Sequence, residues 1–123
     1  MAYKILVVDD DITVQRLLEF ILRKLDVEIL IAGDGVTAIE MIRKEKPGLV
    51  FLDVMMPGKN GIEVCREVKQ DPELKDIYIV MLTAMGEESE VRAMLDSGAN
   101  EYVPKPFSPS GIIEIVKKVI SQK

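Results

Sequence analysis

Residues 49–61 read LVFLDVMMPGKNG, and this stretch decides how the rest of the chain is interpreted. Four apolar residues run directly into the carboxylate of Asp53, a pattern typical of a buried strand that ends on a polar residue. A Pro-Gly-Lys-Asn-Gly turn follows almost at once. Alone, such an aspartate would be a turn residue or a helix cap. Because the other apolar runs of the chain also end on polar residues, Asp53 is the first candidate for a functional site.

Length and composition limit the classes of protein to consider. A chain of 123 residues and 13.8 kDa can bury one core without further support, so we expect residues 1–123 to form a single domain. A net charge of −5 and a pI near 4.8 argue against direct binding of nucleic acid, which needs a basic surface. No apolar run approaches the roughly 20 residues of a membrane span, and no signal-peptide pattern is present, so we expect a cytoplasmic protein.

The single cysteine and the absence of histidine restrict the chemistry. Cys65 cannot form an internal disulfide and lies in an apolar helical pattern, so we expect a small buried side chain. Without histidine, Ser-His and Cys-His nucleophilic pairs and histidine metal sites are excluded. Carboxylates are then the plausible metal ligands, and they favour a hard cation.

Strand and helix patterns alternate along the whole chain. Five apolar runs are predicted as strands, at residues 4–8, 28–32, 49–53, 77–82 and 101–103. Each is followed by a segment with apolar residues at helical spacing, and the second helix is expected to turn Val36, Ile39 and Ile42 inward. The other residues at this spacing are Val14, Leu17, Leu18, Ile21, Leu22 and Leu25 in the first helix, Ile62, Cys65 and Val68 in the third, Val91, Met94 and Leu95 in the fourth, and Ile112, Ile113, Val116, Val119 and Ile120 in the fifth.

Local signals mark several helix ends. Asp34 and Ser108 are predicted N-caps, and Pro109 stands at the first position of the last helix. Gly98 is predicted to end the fourth helix in the left-handed conformation. Acidic residues crowd the first turn of that helix, where they suit the positive end of its dipole: Glu87, Glu88 and Glu90.

Continuous apolar strands joined by helices predict an α/β fold with a parallel sheet covered on both faces. With right-handed crossovers, such a sheet reverses its strand order at one point, and ligands bind there, outside the carboxyl ends of the strands. The side chains at the strand ends should therefore matter most. They are Asp9, Asp10, Asp11, Asp53, Thr83 and Lys105.

These strand-end residues suit phosphate chemistry. Carboxylates brought together repel and need a compensating cation, and Mg²⁺ takes carboxylates, waters and a phosphate oxygen. Lys105 adds a positive charge and Thr83 a hydroxyl, both suited to phosphate oxygens. We therefore expect phosphoryl transfer onto Asp53, a carboxylate that needs no general base. A phosphohistidine is its natural donor, and since this chain has no histidine, the donor must be another protein or a small acyl phosphate.

Four motifs together resemble, in order and spacing, the receiver domain of two-component response regulators, and the resemblance covers essentially the whole chain. They are VVDDD at 7–11, LDVMMP at 52–57, LTA at 82–84 and KPF at 105–107. The resemblance implies a flavodoxin-like (βα)5 fold, a three-layer sandwich whose five-stranded parallel sheet has the order 2-1-3-4-5.

The resemblance also implies roles for the residues around the acidic cluster. Asp53 would be the phosphoacceptor, and Asp9 and Asp10 would be the acidic pair that holds Mg²⁺. Asp53 and the backbone carbonyl of Met55 would complete the protein's ligands to the metal. Lys105 would contact the phosphoryl group.

Further roles follow for residues on the last two strands. Thr83 would contact the phosphoryl group, and Tyr102 would be a switch aromatic that moves inward as Thr83 shifts toward the phosphate. The Lys105–Pro106 peptide bond would be cis, although only about 5% of X-Pro bonds are. Asp11 matches no role in the family, and we expect it to cap the first helix.

The resemblance implies a switch and not an enzyme, although one that assists its own phosphorylation and dephosphorylation. A sensor histidine kinase or a histidine phosphotransfer protein would dock at the start of the first helix and at residues 107–109. The phosphorylated form would act on an output domain or a target protein through the surface of the fourth helix, the fifth strand and the fifth helix. The same surface would serve a homodimer.

The lifetime of the phosphorylated form can be predicted from two variable positions of the family. Met55 and Met85 follow Asp53 and Thr83 by two residues, and neither side chain can orient a hydrolytic water. We therefore expect a long-lived phosphoaspartate. Met55→Asn combined with Met85→Glu should speed the loss of the phosphoryl group, measured by intact mass over time, and an unchanged decay rate would contradict the idea.

Two alternatives come from other functional classes. A haloacid-dehalogenase-like phosphatase also uses an aspartate nucleophile and Mg²⁺, but its general acid would stand at Met55, and the chain has no residues for a cap domain. A small flavodoxin-like module for a flavin or nucleotide would need a phosphate-binding loop after the first strand. The Asp-Asp-Asp sequence there would repel phosphate unless a metal intervened.

Overall fold

The structure, a computed structural model, describes residues 3–84 and 88–122, with the backbone alone at residues 88–90. In the described part of the chain, no helix combines the length and the apolar character needed to span a membrane. Strands and helices alternate as the sequence patterns predict. In order they are β1 (Tyr3–Val8), α1 (Ile12–Leu22), β2 (Val27–Ala32), α2 (Gly35–Glu45), β3 (Leu49–Asp53), α3 (Gly61–Gln70), β4 (Tyr78–Thr83), α4 (Glu88–Asp96), β5 (Glu101–Pro104) and α5 (Pro109–Ser121).

The strands form one five-stranded sheet in the order β2-β1-β3-β4-β5, and every neighbouring pair is parallel. The predicted fold class and strand order are therefore confirmed. The chain passes from β1 outward to β2 and then returns across β1 to β3. The carboxyl ends of β1 and β3 thus flank the point of reversal, where a parallel sheet offers a binding crevice.

The sheet separates two apolar cores, because successive side chains of a strand point to opposite faces. In β3, Val50 and Leu52 face one core, and Leu49 and Phe51 face the other. The first core is closed by α2, α3 and α4 and contains the buried Cys65, as predicted. The second is closed by α1 and α5. The molecule is therefore the predicted three-layer sandwich.

Three side chains at helical spacing lie at the surface. Val36, predicted to face inward, is 57% exposed in α2, Leu17 is 43% exposed in α1, and Leu95 is 51% exposed in α4. Each residue turns an α-helix by about 100°, which places Val36 roughly 110° from the centre of the buried stripe of α2. That stripe consists of Gly35, Ala38, Ile39 and Ile42. The first helix is also shorter than its apolar pattern, since it ends at Leu22 and not near Leu25.

Several helix ends carry the predicted capping residues. Asp34 and Ser108 each accept a backbone N–H from three residues ahead, at 2.8 and 3.1 Å, and Pro109 opens α5. Gly98 follows α4 with a φ of +97°, the left-handed conformation expected of a residue that ends a helix. The acidic first turn predicted for α4 lies outside the described side chains: Glu87, Glu88 and Glu90.

Candidate functional site

Three charged side chains meet at the carboxyl ends of the strands. Asp9 directly follows β1, and Asp53 is the last residue of β3. These strands pair with Val8 opposite Leu52, so both carboxylates leave the sheet at the same edge. Lys105 follows β5, and its ammonium group donates to Asp9 Oδ2 at 2.8 Å and to Asp53 Oδ1 at 3.3 Å. The fold thus brings together residues that are far apart in the sequence.

Asp9 is fully buried and is held through both its side chain and its backbone. Its Oδ1 accepts the backbone N–H of Asp11 at 2.9 Å, while its Oδ2 accepts from Lys105. Asp11 in turn caps α1, as predicted, by accepting the N–H of Thr13 at 2.8 Å. The backbone carbonyl of Asp9 accepts the side-chain amide of Gln15 at 2.6 Å. The turn between β1 and α1 therefore has a defined conformation.

Asp10 completes a cluster of carboxylates. Asp9, Asp10 and Asp53 each offer one oxygen, and these oxygens lie within 4.8 Å of one another. Asp10 is exposed, whereas the other two are buried, so the cluster opens to solvent on one side. Mg²⁺ binds one or two carboxylates, retains several waters and leaves room for a phosphate oxygen. The donor set therefore fits a hard divalent cation.

The ionisation of Asp53 reflects its surroundings. Burial raises the pKa of Asp53 to about 6, and the negative charge of Asp9 contributes further to the increase. The ammonium group of Lys105 and a long hydrogen bond of 3.4 Å from the backbone N–H of Met55 lower the pKa without cancelling the increase. A single lysine is therefore insufficient to offset these carboxylates, and an additional cation would stabilise the site.

Lys105 is fixed by both its side chain and its backbone. Burial by itself would lower the pKa of the ammonium group, but the hydrogen bond to Asp9 and the charge of Asp53 outweigh it, so the pKa is raised. The backbone N–H of Lys105 donates to the carbonyl of Thr83 at 2.6 Å. Its peptide bond to Pro106 is cis, as the resemblance implies. The side chain thus remains charged at neutral pH, and its ammonium group contacts both carboxylates.

The remaining predicted residues lie around this centre. Thr83 ends β4, is buried, and stands opposite Pro104 of β5 at the edge of the sheet that carries the carboxylates. Tyr102 lies on β5, the edge strand, and is 39% exposed. The backbone N–H of Met55 donates to the carboxylate of Asp53, while the side chain of Met55 is 70% exposed. Met85 lies outside the described residues.

Two contributors to this site were not predicted from the sequence. Gln15 contacts the backbone of Asp9, as described above, and Gly61 begins α3 directly against the end of β3. A Cβ at Gly61 would lie 2.2 Å from the carbonyl oxygen of Asp53, so no larger residue fits without a shift of the backbone. The available signals were a polar residue in the first turn of a helix, and the glycine that closes the turn after Asp53.

Comparison with known proteins adds the family context. A family model described as the response regulator receiver domain matches residues 5–117 of the chain. Among solved structures, a candidate response regulator from Chloroflexus aurantiacus J-10-fl has 38% sequence identity and a TM-score of 0.92, with 98% of this chain and 99% of that chain covered. The chemotaxis protein CheY4 of Vibrio cholerae has 27% identity and a TM-score of 0.90, with coverage of 97% and 99%.

A third similar structure contains a metal. It is the receiver domain of the sensor histidine kinase PA1611 from Pseudomonas aeruginosa PAO1, with a magnesium ion coordinated in its active-site cleft. It has 25% identity to this chain and a TM-score of 0.90, and the alignment covers 98% of this chain and 99% of that one. The all-oxygen donor set found here is of the kind that such an ion requires.

Proposed function

The chain belongs to the response regulator receiver domain family, and from this we propose that residues 1–123 act as one such domain, with Asp53 as the phosphoacceptor. Domains of this family are signalling switches of two-component systems and bind Mg²⁺ at an acidic pocket. In our proposal, Mg²⁺-dependent transfer of a phosphoryl group from a phosphohistidine to Asp53 changes the conformation of the domain. The changed conformation then controls a downstream partner.

The bridging position of Lys105 is the observation that carries this proposal. Its ammonium group lies 2.8 Å from Asp9 and 3.3 Å from Asp53. A structural ion pair needs only one carboxylate for each lysine. The second carboxylate is retained here although its raised pKa indicates that its negative charge is disfavoured. Perturbed groups of this kind concentrate at functional sites, so the arrangement favours a chemical role for Asp53.

The proposed reaction is a direct displacement at phosphorus. A carboxylate oxygen of Asp53 forms a bond to phosphorus while the P–N bond of the donor phosphohistidine breaks. The bonding electrons leave with the imidazole nitrogen, which takes up a proton, and the product is an acyl phosphate on Asp53. Lys105 then binds a phosphoryl oxygen, and the hydroxyl of Thr83 donates to another. Positioning and charge neutralisation supply most of the catalysis in this type of reaction.

The metal would be held by the carboxylates of Asp9, Asp10 and Asp53 together with the backbone carbonyl of Met55. When bound, Mg²⁺ would supply the positive charge that offsets these carboxylates and polarises the phosphoryl oxygens. The three carboxylates, with oxygens within 4.8 Å of one another, support this ligand set. The exposed position of Asp10 supports access from solvent.

Signalling requires that phosphorylation stabilise one of two conformations more than the other. We expect Thr83 to move toward the phosphoryl group and Tyr102 to turn inward from its exposed position. The backbone hydrogen bond from Lys105 to the carbonyl of Thr83 joins the end of β4 to the end of β5. A movement of Thr83 could thus be transmitted to Tyr102 on β5. The surface formed by α4, β5 and α5 would change as a result.

The proposed partners are those that membership of the family implies. The donor is a sensor histidine kinase or a histidine phosphotransfer protein, which would approach the start of α1 and residues 107–109. The α4-β5-α5 surface would contact an output domain or a target protein, or a second copy of the chain. We find no support for the haloacid-dehalogenase alternative, because Met55, where the general acid would stand, is apolar.

The test is the intact mass after incubation with acetyl phosphate, with and without Mg²⁺. The wild type should gain one phosphoryl group only when Mg²⁺ is present. Asp53→Ala should gain none, whereas the control Asp96→Ala, which removes an exposed aspartate at the end of α4, should behave as the wild type. A wild type that gains no mass, or an Asp53→Ala variant that does, would overturn the assignment.

A further inference from the structure

Gln15 lies in the first turn of α1 and reaches back over the turn that carries the acidic pair. Its side-chain Nε2 donates to the backbone carbonyl of Asp9 at 2.6 Å. Its backbone N–H donates to the carbonyl of Asp11 at 3.1 Å. One residue therefore binds the turn at both ends, and the side chain is partly buried while doing so.

The carbonyl that Gln15 holds is at the point where the chain leaves the sheet. The N–H of Asp9 still donates to the carbonyl of Ala32 at 3.2 Å, but Asp9 is already beyond β1. The carbonyl of Asp9 and the nitrogen of Asp10 belong to one planar peptide group. A contact that fixes this carbonyl therefore also fixes the direction in which the backbone of Asp10 starts.

The position of the Asp10 carboxylate depends on this backbone contact more than the positions of the Asp9 and Asp53 carboxylates do. The carboxylates of Asp9 and Asp53 are buried, and Lys105 binds both. Asp10 is exposed, and no side chain of residues 3–84 or 91–122 and no backbone N–H of residues 3–84 or 88–122 donates to its carboxylate. Its position relative to the other two carboxylates is consequently set by its backbone.

We propose that Gln15 is a positioning residue for the metal site: by binding the carbonyl of Asp9, it holds the carboxylates of Asp9 and Asp10 in the arrangement that Mg²⁺ needs. This inference rests on the proposed function. The amide is neutral, so it acts through geometry and adds no charge to the cluster. The β2–α2 turn leaves it space, since a Cβ at Gly33 would lie 3.7 Å from Nε2, an ordinary contact.

The first test measures Mg²⁺ binding without any phosphodonor. Titration of the wild type with MgCl₂ by isothermal calorimetry gives the reference dissociation constant. Gln15→Met has similar length but no donor, and Gln15→Asn keeps the amide on a stem too short to reach the carbonyl. Both should bind Mg²⁺ about tenfold more weakly, the lower end of the effect seen when groups that orient metal ligands are removed. Gln70→Met, at the exposed end of α3, is the matched control and should bind as the wild type.

The second test separates positioning from general damage to the fold. With acetyl phosphate as donor, the Mg²⁺ concentration for half-maximal phosphorylation should rise about tenfold in both Gln15 variants. The maximal rate at saturating Mg²⁺ should stay within about twofold of the wild type, because the bound ion itself then holds the carboxylates.

Two results would overturn the inference: unchanged Mg²⁺ affinity in both variants, or a lower maximal rate with an unchanged half-saturating Mg²⁺ concentration. Failure of the proposed function is a separate outcome. It would be seen as a wild type that gains no phosphoryl group, and the calorimetric comparison would still decide whether Gln15 positions the metal ligands.

Discussion

Asp53 shares a small buried space with Asp9 and one lysine, so a proton can compete with a cation for its carboxylate. The pKa of about 6 lies close to neutral pH, which makes this competition measurable. An aspartate with the ordinary pKa of 3.8 would be fully ionised near neutral pH. Both the affinity for Mg²⁺ and the stability of the metal-free protein should therefore depend on pH.

The first prediction concerns the affinity for Mg²⁺ as a function of pH. The ion binds the ionised carboxylate, so protonation of Asp53 below pH 6 should weaken binding, by nearly tenfold for each pH unit well below the pKa. Above pH 7 the affinity should change little. Calorimetric titrations between pH 5 and 8 measure this, and a dissociation constant that stays constant from pH 5 to 7 would contradict it. Asp53→Asn should bind more weakly and lose the dependence.

The second prediction concerns stability without metal. Because folding raises the pKa of Asp53 from 3.8 to about 6, this group favours the folded state fully below pH 3.8, and that contribution is lost as pH rises through 6. In EDTA at pH 7, Asp53→Asn should be more stable than the wild type by on the order of 2 kcal/mol. At pH 4 most of the difference should vanish. Urea denaturation of both proteins at the two pH values tests this, and Mg²⁺ should reduce the difference at pH 7. Equal stability in EDTA at pH 7 would show that Asp53 is not destabilised by its surroundings.

At the scale of elements, the site depends on how closely α3 approaches the end of β3. Gly61 places its backbone against the carbonyl of Asp53, and its N–H donates to the carbonyl of Val54 at 3.0 Å. Asn60 and Glu63 form a capping box that starts α3 at this point. The cap and the glycine together fix where α3 begins relative to β3, the strand that ends on Asp53.

Gly61→Ala tests that contact. The added Cβ would meet the carbonyl oxygen of Asp53 at 2.2 Å, so the backbone must move, and we expect a loss of about 2 kcal/mol in the free energy of unfolding. The phosphorylation rate with acetyl phosphate should fall as well. Gly33→Ala is the control, because its Cβ would meet only an ordinary contact at 3.7 Å. If the two variants were equally stable, the close approach would not constrain the site.

Features set by neighbouring residues in the sequence could be predicted, whereas features set by contacts between distant residues could not. The strands were recognisable because continuous apolar runs reflect burial on both faces, as in β3. Val36 was misplaced because a spacing of three residues also fits positions beside the buried stripe. The contact of Gln15 depends on the conformation of a turn. The pKa of Asp53 depends on its burial in the folded protein and on the charge of Asp9, which lies 44 residues away in the sequence. Neither is encoded in a local pattern.

At the scale of the whole molecule, the proposed switch must connect the site at the sheet edge to an outer surface. Thr83 is buried beside β5, whereas Tyr102 is exposed on that strand. The ends of β4 and β5 lie at the site, and β4 leads into α4. Phosphorylation should therefore alter how strongly the backbone amides of α4 and β5 are protected from exchange with solvent.

Thr83→Ala should separate phosphorylation from this response. The variant should still gain a phosphoryl group on Asp53, but the change in amide hydrogen exchange of residues 101–103 that we expect on phosphorylation of the wild type should be reduced severalfold. Hydrogen exchange followed by mass spectrometry measures this, with Thr37→Ala on the exposed side of α2 as the control. A full response in Thr83→Ala would exclude this residue as the link.

The side chains of the candidate site lie where the paired strands end, since Asp9 follows β1, Asp53 ends β3 and Lys105 follows β5. The two cores lie on the faces of the sheet and are filled by residues within the strands and helices. Positions that shape the chemistry are thus largely distinct from positions that hold the scaffold. Such a division allows the kinetics of the site to diverge through substitutions at the strand ends while the packing persists, so sequence drift in one set need not be matched in the other.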